Sequence, residues 1–319
     1  PPATRRGSDE EATQGRRPPP PRTRDHCDDR ENATVTDPIS FFTPTGDPAT
    51  PTLQPAPLAC SMWSDDQMHG VALSGALSWA AERELAAAGR TDLRPARWAV
   101  DLFRPARMVP CTLTAEVERE GRRICLVDVI LTQEGERVAR GTATFLRPSA
   151  SADGEVWSPA ERPSPPPTDV VPPATTEPRA PYVASSQGWS QNFLEHQNGD
   201  RKATWSTAVP ILPDEPLTGF QAAAATADGA SMVTNWGSRG VQYINTDITL
   251  TLAREPDGIE IGLLATDRVE NDGIAVGTAS VFDRSGPLGT VVVAALANAR
   301  RTVDLGSVSY TDDGRRQRG

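Results

Sequence analysis

Three short stretches place polar side chains or backbone groups where they could do chemistry. The first is Ala227-Asp228-Gly229, at the end of an alanine-rich helical run. A carboxylate among such neighbours is partly desolvated, and its pKa is drawn up toward a value useful for a base. The bland alternative is a solvated Asp in a loop at a helix C-terminus, which the helix dipole mildly disfavours. The second stretch is 243–256, where β-branched residues alternate. Ile244, Ile248, Leu250 and Leu252 fall on one face, and Asn245, Asp247, Thr249 and Thr251 on the other. Asn245 can both donate and accept hydrogen bonds and Asp247 can accept, so this face either lines a site or meets solvent. The third stretch is His69-Gly70, at the start of a helix. Unpaired backbone N–H groups there, at the positive end of the dipole, suit a negatively charged oxygen.

The elements that must position these residues occur in an order that repeats. A helix over 64–89 is predicted from Ser64 and Gln67, a capping-box pair, and from an apolar stripe of Val71, Leu77, Trp79, Ala80 and Leu85. Gly70 and Gly75 each cost about 1 kcal/mol against Ala inside a helix. Something must approach that backbone closely, and packing on a sheet is the plainest reason. Strands are expected at 96–104, 111–119, 123–133 and 137–146, joined by hairpin turns at Gly121 and Gly135. After a Pro-rich stretch, 187–197 and 201–212 read as a hairpin around Asn198-Gly199-Asp200. A second helix follows over 218–232, opened by Thr218 and Gln221 and broken near Gly229, and then strands at 242–254, 258–268, 274–283 and 288–298. Arg104 and Arg254, each near a terminal Pro, are 150 positions apart (254 − 104). Gly135 answers to Gly286. Moving back 150 from Asp228 lands on Ser78, so one site per chain is expected rather than two.

This pattern predicts an α+β protein in which each of two modules lays a long helix across an antiparallel sheet. The expected divisions are a disordered tail over 1–37, a first module over 38–147, a Pro-rich linker over 148–182, a second module over 183–304 and a flexible tail over 305–319. A net charge of −10 without a basic stripe argues against a nucleic-acid partner. The four cysteines lack CxxC spacing and read as small buried apolar residues. The three histidines, His26, His69 and His196, are too scattered for a zinc site, so neither a metal nor a cofactor is expected. With no apolar run of about 18 residues and no charged-then-apolar leader, the expectation is a cytoplasmic protein without a membrane span. Exposed strand edges leave room for a homo-oligomer.

The His69-Gly70 helix start, Val100-Asp101-Leu102-Phe103-Arg104-Pro105, Ala227-Asp228-Gly229 and Ile244-Asn245-Thr246-Asp247-Ile248-Thr249 occur in that order. Together they make the chain resemble bacterial acyl-CoA thioesterases of the thioesterase II type, over roughly 40–147 and 185–300. The resemblance implies a tandem, or double, hot-dog fold and hydrolysis of an acyl-CoA thioester by water. It places the general base on Asp228, with Asn245 at the family's Thr position as a helper, and the substrate against His69, Gly70 and Asp247. The family's water-orienting Gln falls on Val293 or Ala294, and neither side chain can orient water. The alternative is therefore a catalytically degenerate protein that binds acyl-CoA or serves as a scaffold. A hot-dog hydratase would need an Asp/His pair that the sequence does not offer.

Overall fold

The computed structural model describes residues 39–175, 179–298, 300–310 and 316–318, so the expected tail over 1–37 lies outside the described residues. A small antiparallel pair opens the described chain, β1 (Phe42–Thr45) with β2 (Thr52–Pro55). Helix α1 (Gly70–Ala87) follows, then β3 (Arg94–Leu102), β4 (Thr112–Glu120), β5 (Ile124–Gln133) and β6 (Glu136–Leu146). Beyond the Pro-rich stretch come β7 (Tyr182–Ser185), β8 (Gly188–Ser190), β9 (Ala203–Thr207), α2 (Gly219–Thr226) and α3 (Gly229–Asn235). The short pair β10 (Trp236–Gly237) and β11 (Gly240–Val241) precedes β12 (Tyr243–Asn245), β13 (Asp247–Leu252), β14 (Glu260–Asn271), β15 (Ile274–Asp283) and β16 (Gly286–Ala297).

One twelve-stranded sheet gathers most of these, in the order β4-β5-β6-β3-β13-β16-β15-β14-β9-β7-β8, with β12 also on β16. Its two ends mirror each other. In each, three meander strands run back to the strand that follows the helix, and those two strands, β3 and β13, join the halves antiparallel. Ala99 lies opposite Thr249 at this junction. On the helical layer the Ser74 hydroxyl donates to the Ala224 carbonyl at 2.5 Å across 150 residues. The 150-residue offset thus marks pairs of positions that meet face to face between the halves.

Helix α1 carries no simple apolar stripe. Every residue from Ala72 to Ala81 is buried, because the sheet covers one side and α2 the other. Small residues let the layers approach. A Cβ at Gly75 would meet Ile211 at 2.4 Å, and one at Gly141 would meet the Trp98 ring at 2.2 Å. Trp98, fully buried, donates from Nε1 to the Ser74 hydroxyl at 2.9 Å. Its polar edge is thereby satisfied inside a core where burying each large apolar side chain is worth about 1.5–3 kcal/mol.

Several expectations need correction. Helix α1 begins at Gly70, capped by His69, and Ser64 instead bonds its own neighbour Asp66. The second helix, expected to break near Gly229, divides there into α2 and α3, so the second module has no long helix; the join is tightened where Ala230 N–H reaches only to Ala227 and Ser231 N–H only to Asp228. The expected hairpin around Asn198 is absent from the described residues. Strand β8 pairs with β7, while β9 pairs with β7 and β14, leaving 198–200 as a loop that holds Lys202. Cys111 and Cys125 are buried free thiols, as expected, whereas Cys60 is disulfide-bonded and so is more than an apolar filler.

Candidate functional site

Asp228 occupies the join between α2 and α3, in helical conformation (φ −59°, ψ −28°). Its carboxylate packs against the start of α1, in the other half of the chain. A Cβ added to Gly70 would meet the carboxylate at 2.2 Å from Oδ1 and 2.7 Å from Oδ2. Only a glycine leaves room for this approach. The N–H of Val71, one residue on, donates to the same carboxylate. The glycine at the helix start, legible in the sequence as a costly choice, is therefore explained by a charged group from the second half.

Asn245 comes from the sheet. Strict alternation along 243–254 would turn it away from Ile248 and Leu250, but the strand does not alternate strictly. Asn245 lies opposite Ala295 and Thr249 opposite Val292, so four steps on one strand match three on the other. The extra residue is a β-bulge at Thr246. Past the bulge the face inverts, and Asn245 joins the buried Ile248 and Leu250 on the helical side. Its Nδ2 donates to Asp228 Oδ1 at 2.9 Å. That leaves the amide oxygen to accept a hydrogen bond.

The remaining expected residues take structural places. Asp247 locks the bulge, its Oδ1 accepting the Ala294 N–H at 2.8 Å. His69 caps α1. Its Nδ1 accepts from Ala72 N–H at 3.0 Å and its Nε2 lies 2.8 Å from the Leu58 carbonyl, which fixes a neutral ring protonated on Nε2. Its imidazole is spent on holding the helix start in place, so His69 acts through the backbone it positions. Across the sheet, Val293 is fully buried in the core and Ala295 faces Asn245, so no amide stands opposite it on β16.

Asp228, Asn245, Gly70 and Val71 are all half-buried. Burial pushes the Asp228 carboxyl up from its ordinary range, against the hydrogen bonds from Asn245 and Val71, which pull it down. The arrangement can hold a carboxylate poised to take a proton beside a positive helix end. Val71 was missed by sequence reasoning because its contribution is a backbone N–H, which no side-chain pattern records. Among the described residues no group of three His, Cys, Asp or Glu could hold a metal ion, and no helix is long and apolar enough to cross a membrane.

Residues 60–146 match the family described as acyl-CoA thioesterase N-terminal domain, the segment that carries Gly70 but not Asp228. No curated protein matches the sequence. Among solved structures, a tesB protein of Mycobacterium avium subspecies paratuberculosis superposes with a TM-score of 0.56 at 16% identity, over 78% of this chain and 92% of that one. A protein described as a thioesterase II from Thermobifida fusca gives 0.56 at 16% identity, over 80% and 94%. A hot-dog-fold protein of unknown function from Alicyclobacillus acidocaldarius gives 0.58 at 20% identity, over 80% and 95%. Residues 60–146 are thus similar to an acyl-CoA thioesterase N-terminal domain, and the chain shares the hot-dog fold of these structures.

Proposed function

We propose that the chain is a tandem, double hot-dog acyl-CoA thioesterase that hydrolyses its substrate with water activated by Asp228. The observation that carries this reading is the meeting of the Asp228 carboxylate, the Asn245 amide and the first turn of α1 at one half-buried point. Water held by the carboxylate and the free Asn245 oxygen attacks the thioester carbon, and Asp228 takes its proton. The N–H of Gly70, the first-turn donor that neither His69 nor Asp228 engages, is placed to stabilise the carbonyl oxygen as it becomes negative. The C–S bond then breaks. The departing thiolate, whose conjugate thiol has a pKa of about 8.5, leaves without strong acid assistance and takes up the proton. With alanine and valine on β16, positioning of the water falls to Asp228 and Asn245 alone.

Thiol release from a panel of acyl-CoA thioesters tests the reading, with native protein beside Asp228→Asn. Release by the native chain that collapses in the variant supports it. Equal rates in both remove Asp228 as the base. Binding of acyl-CoA without release by the native chain shows a degenerate binder.

A further inference from the structure

A thioester has two arms, and the proposed hydrolysis fixes only the carbonyl between them. With water on Asp228 and Asn245 and the carbonyl oxygen at the Gly70 N–H, the carrier and the acyl group leave in different directions. A large, polar carrier belongs in solvent, so only the acyl arm calls for an apolar place beside Asn245. Two directions lead from Asn245 along the helical side of the sheet.

One runs under α3 and is closed. Ala295, opposite Asn245 on β16, and Ala275, opposite Ala295 on β15, are both buried. Two residues further along β15, on the same face, a Cβ at Gly277 would meet Thr234 Oγ1 of α3 at 2.2 Å. A helix seated on alanine and glycine leaves no layer for a ligand between itself and the sheet.

The other runs along the end of β3. Trp98 meets α1 through Ser74, so alternation puts Val100 and Leu102 on the helical side as well. The Leu102 N–H donates to the Thr246 carbonyl at 2.9 Å. The bulge that turns Asn245 inward therefore makes Leu102 its neighbour on this face. Trp98 and Val100 are fully buried, but Leu102 is only half-buried. Its partner on β6 is Ala139, which is fully buried and takes little room. The polar group thus has one apolar flank, a partly open leucine beside an alanine.

The wall beyond that flank is built not to yield. Met68, Ala106 and Met108 are buried in the core against which Leu102 packs. Met68, two residues before Gly70, donates its N–H to the Ala106 carbonyl at 2.8 Å, and the Met108 N–H donates to the Asp66 carbonyl at 2.8 Å. The buried Gln133 amide pins the same segment from the sheet. Its Oε1 accepts the Arg107 N–H at 2.9 Å, and its Nε2 donates to the Arg107 and Val109 carbonyls, each at 2.8 Å. Densely packed side chains on a pinned backbone do not make way for extra methylene groups without strain.

We infer that the acyl arm lies over Leu102 and Ala139 and that this wall restricts it to a short, apolar group, from acetyl to butyryl. Leu102 sets the limit. The orientation of the thioester is taken from the hydrolysis proposed above, on which this assignment rests.

Thiol release across straight-chain acyl-CoA thioesters, from acetyl to palmitoyl, tests the limit. In the native chain kcat/KM should peak at or below butyryl and fall roughly tenfold or more by octanoyl, as overpacking predicts. Leu102→Ala should move the peak to longer chains, and Leu102→Phe should shift it toward acetyl. Opposite shifts from one position identify a pocket wall, because lost packing alone would lower all rates together. A native preference for octanoyl or longer, or a profile that neither substitution moves, overturns the assignment. Isothermal titration with S-ethyl, S-butyl and S-octyl thioethers of CoA, which cannot be hydrolysed as thioesters, reads the same limit without catalysis. The S-octyl compound should bind roughly tenfold more weakly than the S-butyl one, with the difference reduced in Leu102→Ala. Equal binding of all three, or binding of none, overturns the assignment as well. If the native chain releases no thiol while the thioethers keep this order, the hydrolase proposal fails and the acyl pocket stands.

Discussion

The starts of α1 and α2 are built alike and furnished differently. At each, a residue caps the first turn through its side chain, His69 to Ala72 N–H and Thr218 to Gln221 N–H. At each, a carboxylate reaches across from the other half. At α1 it is Asp228, short, pressed on the Gly70 backbone and bonded to Asn245 across a strand bulge. At α2 it is Glu82, whose Oε2 accepts from the Thr218 hydroxyl at 2.8 Å and the Gln221 amide at 2.7 Å. The sheet has a register shift at the equivalent place, between Pro95 and Arg97, but Pro95 stands where the second half has Asn245. Ser78, 150 residues before Asp228, turns its hydroxyl to its own helix at Gly75. The same frame thus carries one carboxylate set beside a strand amide and another tied up by helix-capping groups.

The largest expected effect tests whether that difference is functional. Asp228→Asn keeps the shape and removes the proton acceptor. Thioester hydrolysis should fall by about 10²–10⁴ in kcat, the range for loss of a general base. The fold should gain from the same change. Because folding raises the Asp228 pKa, the native state favours the protonated form. That preference contributes stability at low pH and is lost as pH rises through the folded-state pKa. The variant's melting temperature should therefore exceed that of the native chain most clearly at neutral pH and converge with it in acid. A uniformly lower melting temperature would recast Asp228 as a structural residue.

Gly70→Ala comes next. The added carbon would overlap the carboxylate, so Asp228 or the helix start must move. A fall of roughly ten- to a hundredfold in kcat/KM is expected, since misplacement by about 1 Å costs on that order, with about 1–3 kcal/mol of stability lost to overpacking. The control lies in the same helix. Gly75→Ala overlaps only the flexible end of Ile211 and touches the Ala225 Cβ at an ordinary 3.4 Å, so it should cost stability with far less activity. Equal activity losses at both positions would mean that Gly70 matters only for packing.

How much of this was legible in the sequence depends on whether the signal was periodic. The meander strands were, because alternating apolar residues and Gly turns mark them. Strands β5 and β15 fall within a residue of their expected bounds, Ile124–Gln133 and Ile274–Asp283. The 150-residue echo was legible too, and it identifies Ser74 with Ala224 and Ala99 with Thr249, pairs that touch. What stayed hidden were departures from period. The bulge at Thr246 inverts a face that alternation assigns the other way, and the join at Asp228, although a break near Gly229 was legible, sets its carboxylate against the start of α1 in a way that no period records. Both departures lie at the candidate site. One inserted residue changes which side chains meet without changing the composition of the strand.

Asn245 tests the bulge directly. Its hydrogen bond pulls the Asp228 pKa down against burial. In Asn245→Ala that restraint goes, so the acid limb of the kcat/KM profile, already above the ordinary carboxylate range, should move to higher pH. The rate at neutral pH should fall about tenfold from the poorer placing of water, a modest share of a base's usual contribution. An unmoved limb would mean that the acid limb does not report Asp228.

The smallest expected effect is at the other helix start. Burial raises the Glu82 carboxyl as well, opposed by its bonds to Thr218 and Gln221, so by pKa alone Glu82 resembles Asp228. Geometry separates them. The Thr218 and Gln221 side chains both donate to one Glu82 oxygen, no strand amide accompanies it among the described residues, and the first-turn N–H of Gln221 is already taken by Thr218. Glu82→Gln keeps a carbonyl oxygen for the Thr218 and Gln221 donors and removes only the charge, so hydrolysis should stay within about twofold, far from the 10²–10⁴ expected when a general base is lost. The double variant with Asp228→Asn should match Asp228→Asn alone. A further loss in the double variant would show that Glu82 hydrolyses thioester at a second site and that the two helix starts differ in strength rather than in kind.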